Sequence, residues 1–326
     1  MLLEIQHELN FTYDAWIHES RMELRIQPRT DATQIVQEFH LLVGPRTAPA
    51  RAWEDWLGNI VHWFGVAAWH ERIEVLARSV IETSPAGNPA FEIQSPLPYG
   101  PPDLARDDFT MFGGPIIKST ALEETSRAFE LESAGTLGEW IRRLSAGFKE
   151  RFEYQPLITT WESNTDHLLE TRAGVCQDFA HLAIALARLR GIPTRYVNGY
   201  LHIEKKNQKS QSHAWVEFWS PDMGWIPYDP THHQDPGEQH VVVAYGRNYN
   251  DCPPNRGLYS GMAIEALEVS VQTRELKEIT PRRRRHPETA SEIPTFSANP
   301  VSRDNPRPEF PNGRPPSADS QQQQQQ

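Results

Sequence analysis

The sequence predicts an α+β chain, an N-terminal antiparallel β domain followed by helices packed on a second antiparallel sheet, and three observations predict it. Apolar and polar residues alternate with a period of two from Leu2 to about Thr83. Apolar residues then recur at helical spacing between Ser119 and Arg190, and short alternating runs return between Thr194 and Gln272. Strands first, then helices, then consecutive strands, make an α+β arrangement rather than a doubly wound parallel sheet.

Taken in order, Leu3-Ile5-His7-Leu9-Phe11, Met22-Leu24-Ile26 and Val36-Phe39-Leu41 place apolar side chains on one face of extended backbone, and residues 59–64 and 72–81 repeat the pattern. Residues 1–100 are therefore expected to form a small β-rich domain, a sandwich of antiparallel strands. Pro and Gly crowd residues 88–102 and break regular structure, so a connection is expected there, with residues 101–118 as linker. Helices are expected over 119–130 and 136–152, the second with Leu137, Trp140, Ile141, Leu144, Phe148 and Phe152 in one stripe. The Ala- and Leu-rich run after Val175 predicts a further helix that starts at Cys176 and stops at Gly191 and Pro193. Strands follow at 194–203, 212–219, 225–229, 240–245 and 265–272, all assigned to a domain spanning 119–280. Residues 281–326 are rich in Pro, Arg, Ser, Asn and Gln, and too poor in apolar residues to repay the entropy of folding. A disordered tail is expected there, its Arg282 to Arg285 run read as a solvated charge block.

The formal net charge is −11, and the last 46 residues carry seven Arg against five acidic residues, so the rest of the chain holds −13. So acidic a body is a poor match for nucleic acid or an anionic membrane. Charge interrupts the first eight residues too early for a secretory core, and no later stretch has the apolar length to span a bilayer. A cytoplasmic protein is expected. Two cysteines, Cys176 and Cys252, make neither a disulfide framework nor a zinc spacing.

Cys176 carries the chemical interest. The first turn of a helix presents unpaired N–H groups and the positive end of the dipole, which favour a thiolate. Gly174 is read as a sharp turn that also lets a substrate carbonyl approach the backbone. Taken alone, such a cysteine is more often a small buried hydrophobe. Ser212 to Trp219 reads as a strand with His213, Trp215, Glu217 and Trp219 on one face, and the turn at Pro221 to Gly224 returns the chain to Asp229. A carboxylate there can hold the His213 ring in its working tautomer. A tight hairpin places Asp229 nearer Val216 than His213, short by ~10 Å at strand rise, so a bulge or slipped register is expected near Pro227.

Other residues have weaker readings. Gln177 and Asp178 stabilise the helix start or line the cleft. Trp215 and Trp219 pack in a core or wall a substrate groove. His232, His233, Asp235, Glu238 and His240 lack a fixed metal spacing and read as a solvated loop. Cys252 reads as a bystander thiol, and Tyr154 as a packed tyrosine at a helix end or an extra oxyanion donor. Gly113-Gly114-Pro115 lacks the Lys and Ser/Thr of a phosphate loop and reads as a turn.

Arg172 to His181, Gly191 to Tyr200, His213-Ala214-Trp215-Val216-Glu217, Gly224-Trp225 with Asp229-Pro230-Thr231, and Gly246-Arg247-Asn248-Tyr249 together resemble the bacterial transglutaminase-like superfamily over residues 119–272. The first hundred residues resemble the β-rich N-terminal domain that accompanies such cores. Asn248 and Cys252 stand where the family usually has Asp and Val. The resemblance implies a papain-like transglutaminase core and a catalytic triad of Cys176, His213 and Asp229. It also implies a thioester mechanism on amide or peptide bonds, by a transglutaminase or a cysteine protease or amidase. A protein or peptide would be the substrate, with an amine as one acceptor and no nucleic acid or membrane partner. No cofactor or metal is expected. The rival reading is a catalytically silent peptide-binding module with the same fold.

Overall fold

The computed structural model describes residues 1–278 except 46, 48–49, 86, 88, 101–103, 157, 160–161 and 204–210. The tail expected over 281–326 lies outside the described residues. β1 (Leu2–Leu24) organises the first part of the chain and is followed by β2 (Gln34–Gly44), β3 (Arg51–Glu54), β4 (Ile60–Val66) and β5 (His70–Thr83). Leu3, Ile5, Leu9 and Phe11 alternate into the interior, as the period of two requires. β1 serves two antiparallel halves of a curled sheet: residues 2–12 pair with β5, which pairs with β2, and residues 20–24 pair with β4, which pairs with β3. Register breaks on both sides of Ile17, and Glu19 takes a positive φ of 54°, so the strand turns from one half to the other.

The helices follow: α1 (Thr120–Ala128), α2 (Leu137–Arg151), the short strand β6 (Glu153–Tyr154), α3 (Thr165–Thr171), β7 (Ala173–Gly174) and α4 (Cys176–Leu189). Ser119, Thr136 and Asn164 each accept a first-turn N–H from an extended N-cap, worth about 1 kcal/mol apiece. α3 is an addition to the predicted helices. α4 packs on a four-stranded antiparallel sheet ordered β10-β9-β8-β11, where β8 is Thr194–Leu201, β9 Gln211–Ser220, β10 Gly224–Tyr228 and β11 His240–Gly246. The buried Ala and Leu residues of α4 share one core with Ala214, Val216 and Phe218 of β9 and the α2 stripe.

The last two strands depart from expectation. β12 (Asn255–Ser260) and β13 (Glu265–Glu275) both pair with β1, so the strand predicted at 265–272 completes the N-terminal sheet rather than the sheet under α4. The N-terminal strands also reach the second sheet. The Gln34 amide exchanges two hydrogen bonds with the backbone of Val242, 2.7 and 2.8 Å, and Asn59 does the same with Tyr245, both at 2.8 Å. Two side-chain amides thus occupy the open edge of β11, satisfying groups that an edge strand otherwise leaves unpaired. That edge strand begins with His240.

Candidate active site

α4 starts at Cys176 because Val175 is extended and the Asp178 carboxylate reaches back to it, accepting the Val175 N–H at 2.8 Å and the Thr159 hydroxyl at 2.7 Å. Burial pushes the Asp178 carboxyl up against those hydrogen bonds. Asp178 therefore ties down the helix start. Gly174 has no positive φ, contrary to the sharp turn expected of it. Its requirement is space, because an added Cβ would lie 2.8 Å from Asp178 Oδ2 and 2.9 Å from a Leu168 methyl.

On β9, His213, Trp215 and Glu217 share one face, the opposite side chains going to the α4 core. β9 and β10 pair without a break, Tyr228 opposite Val216, so the expected bulge is absent. Continuing that register puts Asp229 opposite Trp215, on the same face as His213 and diagonal to it, a separation that side chains span. Asp229 Oδ2 lies 2.7 Å from His213 Nε2. The Cys176 thiol neighbours the same ring, close enough to add to the interactions that keep it protonated. An imidazole between a thiol and a carboxylate can take a proton from one side while the other holds its orientation.

Asp229 is fully buried, and its Oδ1 accepts the N–H groups of Thr231 and His232 at 2.9 and 3.2 Å. Burial opposes its charge, yet His213 and the hydrogen bonds from His213, His232 and His240 hold the carboxyl well below the ordinary range. Burial likewise pushes His213 down, but the charge and hydrogen bond of Asp229, with Cys176 adding, raise it to about 10. The pair is a charged couple in a site almost closed to water.

The five residues read as a solvated loop separate. Glu238 pairs with the N-terminal amine at 2.6 Å and Asp235 accepts the Ala90 N–H at 3.0 Å. His232 Nδ1 and His240 Nε2 instead reach Asp229 Oδ2, at 2.8 and 3.2 Å. Sequence reasoning missed both as neighbours of the site; in the structure Asp229 and Gln234 close a short loop by mutual backbone bonds, which folds His232 back over the carboxylate. Side-chain nitrogens and oxygen of His213, Asp229 and His240 lie within 4.8 Å of one another, as metal donors would. The tautomer of His240 disfavours that use: its Nδ1 accepts the Gly237 N–H at 3.2 Å, so Nε2 presents a proton rather than a lone pair.

Trp215 is core, stacked on His213 and edge-on to His240. With Glu217, Trp225 and Tyr245 it lines a cavity of about 310 Å³ that His240 also borders. Trp219 carries the Arg106 guanidinium 3.9 Å above its ring. Gln177 is buried beside Cys176. Tyr154 is half exposed, and partial burial with the nearby Cys176 pushes its hydroxyl up to about 12. Cys252 is wholly buried, and burial pushes its thiol well up; both cysteines are free.

Comparisons with known proteins follow the same division. Residues 125–230 match the model of the transglutaminase-like superfamily, and residues 3–82 match that of the bacterial transglutaminase-like N-terminal region. An uncharacterised protein of Mycobacterium leprae is 30% identical over 292 residues, covering 83% of this chain and 97% of its own length. A protein-glutamine gamma-glutamyltransferase of Pseudomonas aeruginosa is 33% identical over 138 residues, 36% of this chain and 21% of that protein. The crystal structure of a candidate cysteine protease from Cytophaga hutchinsonii covers 86% of this chain and 93% of its own, with a TM-score of 0.69 at 19% identity, a likeness of fold. No described helix is long and apolar enough to cross a membrane. With both halves of the chain matched in order and a relative aligned over nearly its whole length, the chain belongs to the transglutaminase-like superfamily, with its bacterial N-terminal region.

Proposed function

We propose that this chain is a thiol acyl enzyme that cleaves amide or peptide bonds through a thioester on Cys176. The observation that carries the reading is the His213 ring, set between the Cys176 thiol and the buried Asp229 carboxylate. With His213 already carrying its proton, the Cys176 thiolate attacks the carbonyl carbon, and the carbonyl electron pair moves onto oxygen. The backbone N–H groups of Cys176 and Gln177, which precede the first bond of α4 from Asp178 N–H to the Val175 carbonyl, are the donors this reading assigns to that oxyanion. Collapse of the adduct breaks the C–N bond, and His213 delivers its proton to the departing amine. The acyl group stays on sulfur until an acceptor, water or a primary amine, takes it and regenerates the thiol.

The substrate on this reading is a protein or peptide. An amine acceptor is supported by the Pseudomonas aeruginosa relative, whose name gives a glutamine acyl transfer, over the part of the chain that aligns. Residues 119–280 would form the enzyme core and residues 1–100 the N-terminal unit, joined through 101–118, with the core returning β12 and β13 to the first unit's sheet. Two free thiols are in keeping with the cytoplasm. No metal or cofactor takes part in the scheme.

The test is ammonia release from a glutamine-containing peptide, with and without a fluorescent primary amine, in wild type and Cys176→Ala. Cys176-dependent release with amine incorporation makes it a transferase, and Cys176-dependent release or peptide cleavage without incorporation a hydrolase. No activity, together with a Cys176 that alkylates no faster than a model thiol, removes the enzyme reading and leaves a peptide-binding module.

A further inference from the structure

One imidazole suffices to stand between a thiol and a carboxylate, yet Asp229 Oδ2 is met by three, from His213, His232 and His240 at 2.7, 2.8 and 3.2 Å. The oxygen has two lone pairs, so the three contacts are not equivalent. His213 is also fixed by Cys176. His232 sits on the short loop after Asp229 with its side chain 43% exposed, and is able to turn toward water. His240 has a side chain only 2% exposed and comes from β11, beyond β8, which separates it from β9.

Its reach depends on Gly199 of β8, which is paired with His213 on one side and Val242 on the other. A Cβ there would lie 2.2 Å from the Val241 carbonyl oxygen and 2.5 Å from the Trp215 ring. With no side chain in the way, Trp215 crosses β8 and meets the His240 ring edge-on, centroids 5.3 Å apart. The rings of His213 and His240 are 5.9 Å apart. On its far side, His240 Nδ1 lies 3.2 Å from the Gly237 nitrogen. A backbone N–H only donates, so Nδ1 must hold a lone pair and the ring proton must be on Nε2, aimed at Asp229. A doubly protonated ring would set N–H against N–H. Burial and the charges of His213 and His232 also favour the neutral ring, against the pull of Asp229.

We propose that His240 is a positioning residue: a neutral imidazole, set as its Nε2–H tautomer by the Gly237 N–H and packed edge-on against Trp215, that donates to Asp229 Oδ2 and fixes the direction in which this carboxylate holds His213. The proposal rests on the triad reading above. A neutral donor suits the task because it stabilises the Asp229 charge without introducing a second cation to compete with His213. It shares Oδ2 with His213 and with the more exposed His232, and of the two helpers it is the buried one, while Oδ1 is already held by two backbone N–H groups.

The experiment is the rate of Cys176 alkylation by iodoacetamide against pH, read by intact mass on the full chain, in wild type, His213→Ala, His240→Leu and His240→Gln. Wild type should retain a reactive limb near about pH 6 that His213→Ala removes; without that limb the triad reading itself fails, and this proposal with it. With the limb present, His240→Leu should slow alkylation near about pH 6 by roughly tenfold, the effect of one charge-assisted hydrogen bond, and leave the alkaline rate within about twofold. His240→Gln, whose amide donates from a similar place, should recover most of the loss. An unchanged limb in His240→Leu, or a Gln variant as slow as the Leu variant, overturns the proposal while the triad reading stands. Should either variant fail to fold, side-chain nitrogen NMR of wild type decides: His240 should stay neutral with its proton on Nε2 from about pH 7 to 9. A proton on Nδ1, or titration in that interval, overturns it.

Discussion

His213 and Asp229 meet on the diagonal of the β9–β10 pair, two positions out of direct register, with 2.7 Å between Nε2 and Oδ2. A diagonal contact depends on the carboxylate being held from behind, and on its charge. Asp229→Asn keeps the shape but removes the charge that raises His213, and it offers the ring an amide in place of an acceptor pair. We expect Cys176 alkylation near about pH 6 and any Cys176-dependent turnover to fall by on the order of 10² to 10⁴. Breaking the buried couple should also cost ~3–5 kcal/mol in urea unfolding. Asp229→Asn with wild-type reactivity would show that the carboxylate does not orient His213.

The same couple sets one side of the pH–stability curve. His213 is raised to about 10 in the fold, against the burial that pushes it down, by the charge and hydrogen bond of Asp229. Its unfolded value is ~6.5, so its contribution is complete below about pH 6.5 and is lost as pH rises through about 10. On the acid side His7 and His181, both wholly buried, are pushed down to about 3 by burial. The unfolded chain takes up protons on these rings first, so stability falls from about pH 6.5 downward, by ~1.4 kcal/mol per pH unit for each ring. Urea midpoints should therefore peak near about pH 6.5. His7→Gln should shallow the acid limb by about one ring's share, and a curve flat across this range contradicts both assignments.

These relationships differ in how far the sequence exposes them. Cys176 is visible as the first residue of an Ala- and Leu-rich run, and His213 and Asp229 as members of two strands joined by a tight turn. The turn count misjudges their meeting by demanding a bulge, because it measures displacement along the strand and ignores that cross-strand residues share a face. His232 and His240 are harder to see. One reaches Asp229 through a loop in which His233 takes a positive φ of 56°, and the other through the gap left by Gly199. Both are tertiary facts that no spacing encodes. Alternation likewise marks residues 265–272 as a strand without saying that its partner is β1, at the other end of the chain. α3 has seven residues, fewer than a helical period needs to stand out.

Gly199→Ala tests the gap directly. The new methyl meets backbone on one side and an indole on the other, at 2.2 and 2.5 Å, so the strands or Trp215 must move. Overpacking of this kind costs ~1–3 kcal/mol. Displacing Trp215 also disturbs the rings of His213 and His240 that it touches. We expect a lower urea midpoint together with slower Cys176 alkylation, and a variant of unchanged stability would mean that the β8–β11 spacing yields freely.

Arg195 offers the control, a partly buried charge on the same sheet face that bonds Glu217 rather than the imidazoles. Its Nε lies 2.7 Å from Glu217 Oε2, and its guanidinium lies 3.5 Å from the Tyr245 ring centroid and 4.4 Å from that of Trp225. Arg195→Met strands the Glu217 carboxylate, itself buried, and should cost ~3–5 kcal/mol. The double variant Arg195→Met with Glu217→Met removes both charges and keeps the apolar volume between the rings. It should recover most of that loss, because what is expensive is the unpaired charge rather than the missing pair. If the double variant is no more stable than the single one, the guanidinium contributes mainly through its stacking on Tyr245 and Trp225, and the ion pair is secondary.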